Sequence, residues 1–103
     1  MIFIFREIIQ EAQETVRSWG GEFQVIYLPQ WERYSAPHTA APNRDEVLML
    51  FQELGIPVID MVPVFEAHGD PLSLFPFRAF GHYNESGHQL VSSVLVNRLK
   101  SNR

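Results

Sequence analysis

The sequence predicts an α/β fold, a small parallel sheet of two to three strands flanked by three main helices. Two observations carry this. Amphipathic and strand-length runs follow one another as helix, strand, helix, strand, the order of parallel α/β units. The two strand runs, VIYL at 25–28 and IPVID at 56–60, are nearly continuous and apolar rather than alternating. Such runs suit parallel strands covered on both faces.

Residues 3–19 read as the first helix. Phe5, Ile8, Ile9, Ala12, Val16 and Trp19 recur at three- and four-residue spacings, while Glu7, Gln10, Glu11, Gln13, Glu14 and Arg17 take the other face. Gly20-Gly21 ends it. IFIF at 2–5 is also a β-branched and aromatic run that suits a third strand. The apolar spacing that runs on through Ile9 favours helix. Residues 22–29 hold the first strand, closed by Pro29, and a Pro-containing loop follows at 30–42. Asn43 reads as an N-cap with Glu46 reaching back to it. Val47, Leu48, Leu50, Phe51 and Leu54 form that helix's apolar stripe, and Gly55 ends it. After the second strand, helical turns are expected at 64–67 and 71–75. Asn84 then caps a last helix to about Lys100, with Leu90, Val91, Val94, Leu95 and Leu99 on one face.

A lone strand pair is marginal and leaves two open edges. Either IFIF adds a strand, or an edge pairs with a second copy, or the chain is part of a larger domain.

Composition narrows the function classes. The 103 residues suit a single domain, 1–103, of ordinary hydrophobic content. Net charge is -4, and the basic residues are scattered, so a nucleic-acid footprint is not expected. The absence of cysteine excludes disulfides, thiolate nucleophiles and zinc–thiolate sites. No apolar run reaches membrane-spanning length, and MIFIF lacks the basic start and cleavage region of a signal peptide. As written, the chain is expected to be soluble and cytoplasmic.

The stretch FGHYNESGH, 80–88, is the strongest candidate for chemistry. In parallel α/β sheets, ligands bind beyond the carboxyl ends of the strands, here the loops after Leu28 and Asp60. His82 lies just before a helix N-terminus, which favours the neutral imidazole and suits a base. A solvated loop histidine, or one bonded to a backbone group, is the plainer alternative. Asp60, at a strand end, is either a polar terminus or an acid that orients His82. Gly81 and Gly87 permit tight turns and close packing. His88 falls in the first helical turns and is expected to pack or cap. His68, Asp70 and His38 match no established ligand spacing, so no metal or cofactor is expected.

GHYNESGHQLVSSVL resembles the last block of the SGNH (GDSL-type) hydrolases, a pattern like D-x-H-x-N-x-x-G-H followed by an apolar helix. The matching residues are His82, Asn84, Gly87, His88 and then Leu90-Val91. FQVIYLP and LGIPVIDMVPVF are similar to that family's later strands. The resemblance covers residues 5–100 and looks like the C-terminal half of such a domain. It implies a partial flavodoxin-like three-layer sandwich and ester or acyl hydrolysis, in which a Ser attacks, a His takes its proton and an Asp orients the His. His82 then matches the base, and Asp60 is the candidate orienting acid. Phe80 stands where the family usually has Asp. The Gly-Asp-Ser block and the Gly and Asn oxyanion blocks have no match, and in a full-length relative they would precede Met1. Ser35, Ser73 and Ser86 lack a nucleophile-elbow context. The resemblance thus implies a small acyl ester ligand in the full domain, a parent of a family often exported, and inactivity of this chain alone. Trp31, Tyr34, Phe75, Phe77 and Phe80 line an acyl pocket on this reading, or cover the sheet end or an interface. The alternative from another class is a non-catalytic, self-associating interaction module, a homodimer through the open sheet edge.

Overall fold

A computed structural model describes residues 2–36 and 43–101. Its elements are α1 (Ile2–Ser18), β1 (Val25–Tyr27), α2 (Glu32–Ser35), α3 (Arg44–Glu53), β2 (Val58–Asp60), α4 (Val62–Ala67) and α5 (Glu85–Ser101). A short 3-10 turn lies at Pro71–Leu74, and a tight turn with left-handed residues at Pro76–Arg78. The chain divides into two compact units, residues 1–26 with 42–59 and residues 27–41 with 60–103.

The strands form one parallel pair. Val25 N–H donates to the Pro57 carbonyl at 3.0 Å, and Met61 N–H donates to the Tyr27 carbonyl at 3.0 Å. IFIF lies in α1, so it supplies no third strand. The expected cover on both strand faces is not met. All three residues of β1 are half-buried, and only Ile59 of β2 is buried.

In the first unit both long helices end in the same way. Gly20, at φ 80°, follows α1; its N–H bonds the Arg17 carbonyl while Gly21 N–H bonds the Val16 carbonyl. Gly55, at φ 68°, repeats the pattern after α3, with bonds from Gly55 to Gln52 and from Ile56 to Phe51. This Schellman ending needs a left-handed residue, which glycine adopts at little cost. It also brings Ile56 and Phe51, both buried, to the end of the helix. Leu50 and Ile59 complete this core, and the Phe5 ring meets Phe51 edge-on at 6.0 Å.

Two details of this unit depart from the sequence reading. Gln13 is buried rather than on the solvent face, and its Nε2 donates to the Leu54 carbonyl at 3.0 Å. On a helical wheel Gln13 falls beside Phe5, Ile9, Ala12 and Val16, and the carbonyl left open at the end of α3 makes burial of an amide acceptable. Ile8 and Trp19 are exposed instead, Ile8 at the edge of the stripe and Trp19 past the helix end. Asn43 does occupy the N-cap position of α3, but its side chain makes no cap hydrogen bond. Its backbone, at φ -94° and ψ 7°, is outside the extended region from which a cap side chain reaches the first turn.

In the second unit Asp60 Oδ1 accepts the Val62 N–H at 3.0 Å and turns the chain from β2 into α4. Pro63 sits in the first turn, where no N–H is required. α4 therefore starts two residues before the expected turn. Met61, Val62, Phe65, Leu74 and Phe75 are buried here. Phe65 is surrounded by rings, with Tyr34 at 6.2 Å, Phe75 at 6.3 Å and Tyr83 at 5.1 Å. α2 lies in the stretch expected to be loop and presents Tyr34 to this cluster. α5 keeps Leu90, Val91, Val94 and Leu95 half-buried, while Val96 and Leu99 are exposed. Among the described residues no helix is long and apolar enough to cross a membrane.

Candidate functional site

The entry to α5 is held by Asn84. Its Oδ1 accepts the Gly87 N–H at 2.9 Å, an N-cap bond, and its Nδ2 donates to the Ser73 carbonyl at 2.8 Å. Its own N–H donates to the Leu74 carbonyl at 2.9 Å. One residue thus starts the helix and ties it to the Pro71–Leu74 turn. Gly87 makes the approach possible, because a Cβ there would lie 2.6 Å from the Leu74 carbonyl oxygen. Asn84→Ala removes the cap and one further part-buried bond, so a loss of about 2 kcal/mol is expected in urea unfolding.

Tyr83 fixes the preceding turn. Its hydroxyl donates to the Pro29 carbonyl at 2.6 Å, joining the segment before α5 to the segment after β1. Burial, with Tyr34 nearby, holds the phenol well above its usual range, so it stays a neutral donor through the physiological range. The result is a shallow cleft of about 280 Å³ lined by Leu28, Pro29, Gln30, Gly81, His82 and Tyr83.

His82 is exposed on this cleft. Its Nδ1 faces the Tyr83 carbonyl at 3.5 Å, the outer limit of hydrogen bonding, and its ring lies parallel to Phe80 at 6.3 Å. Asp60 is half-buried at the end of β2, with Oδ1 engaged by Val62 N–H. No hydrogen bond or ion pair joins His82 to Asp60. His88 is exposed and meets Tyr83 edge-on at 6.0 Å. Ser73 Oγ donates to the Asp70 carbonyl at 2.6 Å. Among the described residues no group of three or more His, Asp or Glu is placed to hold a metal; His38 lies outside those residues.

The segment just before His82 has an unusual backbone. Phe77 and Arg78 have φ of 52° and 59°, and Ala79 N–H bonds the Pro76 carbonyl at 3.0 Å. Two successive left-handed residues make a mirror-image turn of the kind that ordinarily takes Asn-Gly. Here it is Phe-Arg, so neither the turn nor its location was signalled by turn residues. Arg78 anchors it from both sides. The guanidinium donates to Asp70 Oδ2 at 2.7 Å, and the Arg78 carbonyl accepts Trp31 Nε1–H at 3.1 Å. The hydrogen bond from Arg78 holds the Asp70 carboxyl below its ordinary value. A lowered folded-state value means that the pair's small contribution is present at neutral pH and fades as pH falls through that value. Phe77→Gly relieves one left-handed side chain at an exposed site. It is expected to raise stability by about 0.5–1 kcal/mol, read as a thermal midpoint a few degrees higher.

No protein-family model, curated protein or solved structure matches this chain.

Proposed function

We propose that these residues form the base-bearing, C-terminal half of an SGNH-type hydrolase domain, and that alone they do not hydrolyse esters. The observation that carries the reading is the place of His82. It stands one turn before an Asn84-capped helix, on a cleft whose opposite wall is the segment directly after the carboxyl end of β1. Parallel α/β sheets bind ligands at that end. The half-buried β1 and the exposed Phe3, Ile4, Ile8, Val96 and Leu99 support it too. A flavodoxin-like sandwich deprived of half its sheet would leave such surfaces uncovered.

In the assembled domain His82 is the general base. A proton on Nδ1, facing the Tyr83 carbonyl, leaves Nε2 as the basic nitrogen. Asp60 is the acid available at a strand end; to orient the base it takes the Nδ1–H in place of the Tyr83 carbonyl, and a small acyl ester is the ligand. The attacking hydroxyl is expected from outside these residues, since no serine here stands in a nucleophile-elbow context.

The purified chain is expected to turn over p-nitrophenyl acetate no faster than His82→Ala does. Turnover that disappears with that substitution overturns the inactivity. A natural reading frame that encodes a strand and Gly-Asp-Ser upstream supports the hydrolase assignment. An upstream frame without such a block counts against it.

A second reading has its own observation, a sheet that among the described residues holds two three-residue strands. A self-associating, non-catalytic module would complete the sheet with a second copy. Light scattering separates the two, because a well-folded strict monomer excludes the module.

A further inference from the structure

We propose that Phe77, Phe80 and the cleft beside His82 form a binding site for a neutral molecule carrying a flat aromatic group. The inference concerns binding, and holds whether or not the site takes part in acyl transfer.

The first argument is the display of Phe77. Phe77 is 90% exposed, while Phe75, two residues earlier, is 1% exposed. Exposing a phenylalanine forgoes its burial energy, and a left-handed backbone at a bulky residue adds strain. A turn unfavourable on both counts persists only when its surroundings hold it. Here the Arg78–Asp70 pair and the Trp31–Arg78 bond do so. The turn that carries the ring is thus tied on its Arg78 side.

The second argument is the arrangement of rings. Phe77 meets Phe80 edge-to-face, with centroids 6.1 Å apart and planes at 75°. Phe80 then lies parallel to the His82 ring, at an interplanar angle of 11°. The three rings form a ledge that ends at the cleft, where Leu28 is also exposed. Aromatic partners prefer edge-to-face or offset-parallel contacts, and a ledge of this kind extends naturally to one more ring.

Charge sets the remaining requirement. None of the described cleft residues is Asp, Glu, Lys or Arg. The charge on the turn itself, Arg78, is paired with Asp70 at 2.7 Å. Tyr83 spends its proton on Pro29, which leaves Gln30 and His82 as the side chains able to meet a polar substituent. A pocket that is apolar apart from a few polar groups suits an uncharged ligand.

The test is an amide NMR titration of the full chain with naphthol, and with cyclohexanol and naphthoate as the non-aromatic and charged comparisons. Naphthol is expected to give saturable shifts confined to residues 28–30 and 77–83, with weaker binding of the other two. Two variants report on the site without undermining the fold. Phe77→Gly relieves strain yet removes the ring, so it binds roughly fivefold more weakly while unfolding at higher temperature. Gly81→Val adds a branched side chain to a residue that lines the cleft and whose Cβ meets no atom within 4 Å, so it is expected to crowd the cleft and weaken binding about tenfold. The proposal is overturned by any of four results: no saturable shift up to the solubility limit, shifts elsewhere on the chain, unchanged binding in both variants, or equal binding of all three probes. The absence of ester turnover leaves it standing.

Discussion

Phe65→Ala is expected to lower the free energy of unfolding by about 4 kcal/mol, measured by urea denaturation. Phe65 is fully buried, and Tyr34, Phe75 and Tyr83 all pack against its ring. Truncation removes the transfer energy of the ring and leaves a cavity whose walls are themselves large rings. Those rings are tethered, Tyr83 through Pro29 and the adjacent Asn84 through Ser73, so the cavity cannot close by a small shift. Domains of this size commonly have a total stability of only 5–15 kcal/mol. At the low end of that range the variant keeps about 1 kcal/mol, and a measurable fraction of it is unfolded at room temperature. A loss below about 1.5 kcal/mol would show that Phe65 is not the centre of this core.

Gly87→Ala is expected to cost about 3 kcal/mol, with a sign opposite to that of helix propensity. Inside a helix the exchange ordinarily stabilises by about 1 kcal/mol. Here the new methyl would stand 2.6 Å from the Leu74 carbonyl oxygen and 2.9 Å from Tyr83 Cβ. The first neighbour is backbone and is itself bonded to Asn84 N–H, so it cannot move without opening that junction. The first turn of α5 must retreat, and the Asn84 bonds stretch with it. Gly81→Ala is the matched control, since its Cβ enters open space and a change within about 0.5 kcal/mol is expected. Equal stability of the two variants would remove the close approach from the account of this site.

The elements that could be read from the sequence are those whose causes are local. α1, α3 and α5 follow from apolar spacing, and Gly20 and Gly55 mark real helix ends because a left-handed residue is needed there. Asn84 was legible as a cap for the same reason, its partner Gly87 being three residues away. α2 was not. It has no side-chain cap and no buried residue of its own, and its Tyr34 packs on Phe65 from the other side of a long chain excursion. Polarity assigns Gln13 to the solvent face although the wheel puts it beside Ile9, because its partner, the Leu54 carbonyl, is 41 residues away. At the site, the sequence placed His82 before a helix and next to strand-end loops. The wall it faces depends on the long-range bond from Tyr83 to Pro29, which no spacing rule contains. The Phe-Arg turn was hidden because neither residue favours the backbone it adopts.

The separation of the paired strands has a kinetic consequence. Val25 bonds to Pro57 and Tyr27 to Met61, so the pairing cannot nucleate from a hairpin and must close a long stretch of chain first. α3, which lies inside that stretch and carries its own terminator, can form before closure. The entropy of that closure is lost before the pairing offsets it, so pairing belongs to the slow step, and substitutions at Val25 or Val58 should slow folding as well as quicken unfolding.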